Sequence, residues 1–323
     1  MILILSNKWD LTVDFVLAEL RARNKHFIRL NTEDLASGQA IVQLPEFQIR
    51  VLKNGHIINI ADSLNVIWNR RPGKPYDNVP LTQRPSRAVQ AFVNDQWYSW
   101  LEALQLVPET VWVNHPSTND AMESKVRQLF LASKLGFRIP ETLITNDADA
   151  ARALANKYGE RLVAKALFSP LIEEPEEDFF IYTTEISVTE ICDDNEIRLS
   201  PLIFQKALRP KVDYRVTVVG DKVFPVKIEN SKQGFSNIDW RMEKEDLEFL
   251  PCTLPPEIVD LCKRYVRENG LLFGAIDLVE HNEEFFFLEI NPNGEWGWLQ
   301  KPHNVPIAQA LCDLLLYHDG TET

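Results

Sequence analysis

No two of the four cysteines, at positions 192, 252, 262 and 312, have Cys-x-x-Cys spacing. A chain of this length needs no disulfide staples, so the thiols read as reduced and mostly buried. The six histidines never fall at zinc-ligand spacing, which excludes a structural zinc held by His and Cys. Long apolar runs are missing too. Ile2-Leu-Ile-Leu5 is cut short by Lys8 and Asp10, and no later stretch approaches the length that spans a bilayer. That run has no basic flank, so no signal peptide is expected, and the expected location is the cytoplasm. Positive charge is in deficit, with 34 Lys and Arg against 47 Asp and Glu and a formal net charge of −13. Nucleic acids and anionic membrane surfaces both require a basic footprint, and both are excluded as main partners. The chain also has no Gly-x-x-x-x-Gly-Lys-Ser/Thr loop, no Gly-x-Gly-x-x-Gly after its first strand and no Gly-x-Ser-x-Gly elbow. These absences disfavour the common nucleotide folds and the serine hydrolases.

What is present fits a globular protein of two or three domains. The chain has 323 residues, 45% of them hydrophobic and 25% charged. Charge divides it unevenly: residues 1–116 hold 12 Lys and Arg against 11 Asp and Glu, while 117–323 hold 22 against 36. A boundary is therefore expected near His115-Pro116. Three domains are expected, over 1–115, 116–200 and 201–323.

The first third reads as a small α/β unit. Strands are expected at 2–5, 26–30, 66–68 and 111–113, with helices at 12–23 and 83–106. A hairpin is expected at 48–60 around Lys53-Asn-Gly55. One helix is expected from Ser117, a plausible N-cap, to about Leu135, ending at Gly136. Extended chain follows at 139–144, a helix at 147–158 and a strand at 161–167. From Leu199 strands dominate, at 200–206, 214–219, 222–228, 273–279 and 284–290, with helices at 255–268 and 305–316. This order favours α+β layers over regular βαβ alternation.

The chemistry concentrates near the C-terminus. Glu289 and Asn291 are two apart, so on a strand their side chains share a face. His281-Asn-Glu283 reads as a hairpin turn, and pairing across it allows Asp277 to join that face. Asp277 is set in Phe-Gly-Ala-Ile-Asp-Leu-Val and Glu289 in Phe-Phe-Phe-Leu-Glu-Ile. Carboxylates in strands that apolar need a cation or a donor to offset burial. Two carboxylates and an amide oxygen suit Mg2+. For each residue alone, an exposed polar hairpin is the plainer reading. Lys165 places a charge inside Leu-Val-Ala-Lys-Ala-Leu, where it either anchors an anion or snorkels to solvent. Lys125, near the start of a helix, is unremarkable alone. The apolar run 202–208 is broken by Gln205 and Lys206, and an amide with a free backbone edge there would read a purine ring. Asp213 and Arg215 share a strand face, and Asp239-Trp-Arg241 repeats the acid–arginine pairing. Arginine forks suit carboxylate and phosphate oxygens, although surface ion pairs of this kind contribute little.

Taken together these residues resemble the ATP-grasp ligases, and within them the ribosomal-peptide maturases of the graspetide, microviridin-type macrocyclase family. The resemblance covers nearly the whole chain. It rests on Asp213-Tyr-Arg-Val-Thr-Val-Val-Gly220, Asp239-Trp-Arg241 and Leu288-Glu-Ile-Asn-Pro-Asn-Gly-Glu-Trp296, with Val66-Ile-Trp-Asn-Arg-Arg-Pro72 similar to a strand of the family's N-terminal domain. It implies an α+β ATP-grasp fold: a pre-ATP-grasp α/β domain, a central domain and a C-terminal antiparallel-sheet domain. It also implies ATP and Mg2+ as cofactors. Lys125 and Lys165 would then hold ATP phosphates, Gln205 and the backbone around Ala207 the adenine, and Asp213 the ribose. Asp277, Glu289 and Asn291 would bind Mg2+, and Arg215 and Arg241 would orient the reacting carboxylate. Asp239 is the expected general base, with Asp213 its competitor. Phe168-Ser-Pro170 and the acidic run 173–178 depart from the glycine-rich phosphate cover of many relatives. That run either borders a groove for a leader peptide or is a solvated loop.

The expected activity is ATP-dependent joining of Asp/Glu side chains of a ribosomal precursor peptide to Ser/Thr hydroxyls or Lys amines. A homodimer is expected from the family. The rivals are a ligase joining two separate molecules, or adding glutamate to a peptide, and a nucleotide-binding regulator that catalyses nothing.

Overall fold

The computed structural model describes residues 1–53, 56–159, 161–168, 171–173, 178–191, 194–230 and 247–321. Asp239 and Arg241, most of the acidic run and Cys192 lie outside them. The chain forms two compact units, one of Met1–Pro116, Leu271–Phe273 and Glu295–Thr323, the other of Ser117–Gly270 and Gly274–Gly294. Among the described residues no helix is long and apolar enough to cross a membrane.

The first unit is built on a parallel sheet in the order Phe27–Asn31, Ile2–Ser6, Val66–Asn69, Val111–Val113. Ile2, Leu3 and Ile4 are fully buried, as a strand covered on both faces requires. Asp10 caps helix Leu11–Ala22, its side chain accepting from the Thr12 N–H at 3.0 Å. The hairpin Gln48–Lys53/His56–Asn59 forms, and strand Ala40–Gln43, which the sequence did not signal, pairs with it. The helix expected over 83–106 is α-helical only over Arg87–Glu102, because Ser86 caps it after Pro85 and its last turn tightens into a 3-10 helix. The segment Leu271–Phe273 joins this unit through Asn114. Its Oδ1 accepts from the N–H groups of Leu272 (2.8 Å) and Phe273 (3.0 Å), and its amide donates to Phe273 O. Glu295 joins through ion pairs to Arg70 and Arg71, and helix Ile307–Asp319 packs on helix Leu11–Ala22.

In the second unit, an antiparallel sheet runs Thr184–Ser187, Arg161–Lys165, Leu202–Lys206, Thr142–Thr145. Helix Ala148–Lys157 packs small residues, Ala148, Ala151 and Ala155, against Leu162 and Phe204. A second sheet runs Leu247–Pro251, Lys222–Asn230, Val212–Val219, Phe273–His281, Glu284–Asn291, with neighbours antiparallel among its first three strands and its last two an antiparallel hairpin. The single helix expected over 117–135 is instead two, Pro116–Met122 and Lys125–Leu135. Ser124 starts the second, its Oγ accepting from the Arg127 N–H. Gly136 ends it in the left-handed conformation. Phe137, Tyr265 of helix Pro256–Glu268 and Phe287 form one aromatic cluster.

Candidate active site

The site is set by the terminal hairpin. Asn282 (φ 51°) and Glu283 (φ 65°) make a two-residue turn with both φ positive, and the ladder begins regularly: His281 opposite Glu284, Val279 opposite Phe286, Leu278 opposite Phe287. Continued without a break, that register would put Leu288 opposite Asp277 and turn Glu289 to the other face. A bulge intervenes. Asp277 pairs with Glu289 instead, Ile276 with Ile290 and Ala275 with Asn291. One extra residue thus re-aims the strand, so that Asp277, Glu289 and Asn291 share a face while Phe287 stays on the opposite, core-packed face. Beyond Asn291 the chain turns sharply, Gly294 N–H donating to Asn291 O at 3.1 Å. A Cβ on Gly294 would meet that of Ala275 at 2.5 Å, so no larger residue fits there.

Two cations offset the carboxylates. Arg215 Nε lies 2.8 Å from Asp277 Oδ1, and Lys125 Nζ lies 4.0 Å from Glu289 Oε2 while donating to Ala166 O at 3.0 Å. The donors are hard oxygens, two carboxylate and one amide, on one sheet face, and they fit a magnesium ion better than a softer metal. Among the described residues no cluster of three or more His, Cys, Asp and Glu side chains exists, so a cation would rest on this mixed set.

A solvent-open cleft adjoins these groups. Val163, Leu208, Leu278 and Leu288 give it apolar walls, while Lys165, Gln205, Lys211, Asp213, Asp277 and Glu289 bring polar groups to it. The structure therefore gathers five of the candidates around one cavity: Lys165, Gln205, Asp213, Asp277 and Glu289. Lys125, Arg215 and Asn291 do not line it; the first two reach it through their carboxylate partners, and Asn291 lies along the strand from Glu289. Gln205 is buried, its amide nitrogen donating to Thr142 Oγ at 2.8 Å. Of the run 202–208 where a free backbone edge was expected, the part up to Lys206 has none, because this strand is central, paired with Thr142–Thr145 on one side and Arg161–Lys165 on the other. The main chain leaves both ladders only after Lys206, at Ala207. Sequence reasoning missed Lys211, whose Nζ sits 2.7 Å from each Asp213 oxygen. Its i,i+2 spacing to Asp213, the same pattern that singled out Arg215, was the available signal.

No family model matches the chain. Its fold is similar to that of the macrocyclase MdnC from Microcystis aeruginosa, solved with the precursor peptide MdnA: TM-score 0.86, 23% identity, 98% of this chain and 99% of that one. The macrocyclase MdnB of the same organism superposes with TM-score 0.78 at 26% identity, over 98% and 99% of the two chains. Among curated proteins, the alpha-aminoadipate–LysW ligase LysX of Sulfurisphaera tokodaii is 26% identical over 209 residues, 62% of this chain and 69% of that protein. The chain therefore has the ATP-grasp fold, matched end to end by two solved macrocyclases, and over 62% of its length its sequence is similar to that of an amino-acid ligase.

Proposed function

We propose that this ligase activates Asp/Glu side chains of a ribosomal precursor peptide as acyl phosphates and joins them to Ser/Thr hydroxyls or Lys amines, closing macrocyclic esters or amides. The observation that carries the reading is the pairing of Asp277 with Glu289 on the face reached by Arg215, beside a cleft that also holds Lys165 and Gln205. The end-to-end likeness to macrocyclases, one of them solved with its precursor peptide, supports a peptide substrate.

A carboxylate is a poor electrophile, so one of its oxygens must first take the terminal phosphoryl group of ATP, releasing ADP. The hydroxyl or amine then attacks the acyl carbon, phosphate departs and the nucleophile's proton passes to a base. Asp277, Glu289 and Asn291 would hold Mg2+, which when bound offsets charge on the phosphate oxygens. Lys165 reaches the phosphates from the neighbouring sheet, and Lys125 adds positive charge beside Glu289. The apolar walls receive the adenine, with Gln205 and the main chain at Ala207 at its edge. Asp213, with both oxygens accepting from Lys211, suits a ribose contact rather than proton removal. Asp239 would then be the general base, and Arg241 would act with Arg215 on the reacting carboxylate. Leader binding raises the effective concentration of both reacting groups. The enzyme is read as a cytoplasmic homodimer.

Incubating the protein with ATP, Mg2+ and the precursor encoded beside its gene should remove one water from the peptide per linkage, seen by mass spectrometry. Unmodified precursor despite demonstrated nucleotide binding would overturn the reading. The likeness to LysX favours a second reading, ligation of two separate molecules. ADP release that depends on a free amino acid or amine and needs no precursor would establish it.

A further inference from the structure

The strand that carries Glu289 and Asn291 is the outer strand of its sheet, and Ile290 lies between the two candidate ligands. An outer strand presents backbone N–H and C=O groups that the sheet itself does not pair. At Ile290 both are taken by a single side chain. The Gln128 amide accepts from Ile290 N–H through Oε1 at 3.0 Å and donates to Ile290 O through Nε2 at 2.9 Å. Its second N–H donates to Met122 O at 2.6 Å. Three partners fix the amide in one orientation, since the flipped amide would set an NH2 against the Ile290 N–H and an oxygen against two carbonyls. Gln128 is only 3% exposed, so water cannot replace these bonds.

The glutamine is itself held. It lies one helical turn beyond Lys125 on helix Lys125–Leu135, and Tyr265, fully buried, donates its hydroxyl to the Gln128 carbonyl at 2.9 Å. The Tyr265 ring packs edge-on against Phe137 and tilted against Phe287. The helix that brings Lys125 to Glu289 thus also clamps the backbone between Glu289 and Asn291.

We infer that Gln128 is a positioning residue for the metal site: its amide serves as the missing neighbouring strand and fixes the spacing and facing of Glu289 and Asn291 after the bulge. The inference rests on reading Asp277, Glu289 and Asn291 as the cation ligands. Outer groups that orient metal ligands commonly change affinity about 10–100-fold when removed. The isosteric Gln128→Met keeps the packing and leaves Ile290 N–H and C=O unpaired. Gln128→Glu keeps the acceptor but sets an anionic oxygen against the carbonyls of Met122 and Ile290.

The test is Mn2+ binding to the full-length protein with saturating ADP, followed by electron paramagnetic resonance, alongside ADP binding in EDTA. Both variants should weaken Mn2+ at least about tenfold, with metal-free ADP affinity within about threefold of the original protein. In the unaltered protein, the Ile290 amide should exchange with solvent as slowly as the paired amides of the Phe273–His281 strand, a result that needs no variant to fold. Mn2+ affinity unchanged in a folded variant, or rapid exchange at Ile290, overturns the clamp. Glu289→Gln separates the clamp from the site: if it too leaves Mn2+ binding intact, the metal site is misplaced and the clamp falls with it. If Glu289→Gln abolishes binding while Gln128→Met does not, only the clamp falls.

Discussion

Arg215 and Asp277 form an ion pair almost wholly withdrawn from solvent, their side chains 7% and 11% exposed and their nearest atoms 2.8 Å apart. Such a pair is costly to break from one side, because the surviving charge is left in a medium that cannot solvate it. Asp277→Asn is therefore expected to destabilise the protein by about 3 kcal/mol. The double variant Asp277→Leu with Arg215→Met should recover most of that loss, since well-packed apolar replacements often match a buried pair. Urea unfolding of the single and double variants reads the difference. A single substitution costing less than about 1 kcal/mol would show the pair to be solvated in the manner of a surface bridge.

Lys165 closes its strand opposite Ile203 and faces the cleft beside Gln205. If it reads the distal phosphates, its loss must penalise ATP and spare AMP. A hydrogen bond to a charged group contributes about 1.5–3 kcal/mol, so Lys165→Met should weaken ATP at least about tenfold. AMP affinity should hold within about twofold. Calorimetric titration of both nucleotides distinguishes this from a general loss of the pocket, which would weaken both alike.

Arg70 lies in the first unit with 1% of its side chain exposed, its Nε 2.9 Å from Asp10 and a terminal nitrogen 2.8 Å from Glu295. Burial pulls its pKa below the ordinary guanidinium value, and the two carboxylates oppose that pull. Glu295 also pairs with Arg71 and accepts from Thr12 Oγ at 2.6 Å. Glu295→Ala strips Arg70 of one carboxylate and is expected to cost about 3 kcal/mol in urea unfolding. Asp10→Ala removes the other and also a helix cap worth about 1 kcal/mol, so it should be the more damaging of the two. The reverse order would mean that Glu295, not Asp10, holds the arginine.

How far the sequence showed this depends on the range of the interactions. Local patterns carried well: apolar strands such as Ile2–Ser6 and Phe273–His281, the Gly136 stop, and carboxylates conspicuous in apolar surroundings at 277 and 289. The face shared by Asp277 and Glu289 was anticipated, but counting back from the turn leads to Leu288. The bulge that corrects the register has no signature in the local spacing of Phe287, Leu288 and Glu289. Ser124, which divides one expected helix into two, was readable as a cap but sits inside an otherwise helical pattern. Gln128 resembles any polar residue of a helix until the fold brings Ile290 to it from 162 residues away. The return of Glu295–Thr323 to the first unit is equally non-local, resting on Arg70, Arg71 and the packing of the last helix on the first.

His318 offers a test by pH. It lies in the last turn of helix Ile307–Asp319, half-buried and against the Tyr317 ring, and burial holds its pKa below the ordinary imidazole value of about 6.5. The unfolded chain keeps the ordinary value. Between the two pKa values the unfolded state therefore binds a proton that the folded state does not, and acid favours unfolding. The contribution is intact above pH about 6.5 and is lost as pH falls through the depressed folded value, with a slope of at most about 1.4 kcal/mol per pH unit for one proton. Carboxylates with lowered pKa, Glu141 bonded to Lys157 and Tyr158 and Glu190 bonded to Ser187, add acid sensitivity of the same sign at lower pH. The part due to His318 must then be isolated by difference. Urea midpoints of the original protein and His318→Gln, measured from pH 7.5 down to 5, should diverge below the ordinary imidazole value, the variant falling less steeply. Parallel curves over that range would mean that the imidazole titrates alike in both states and that the C-terminal turn opens to water before the rest of the unit unfolds.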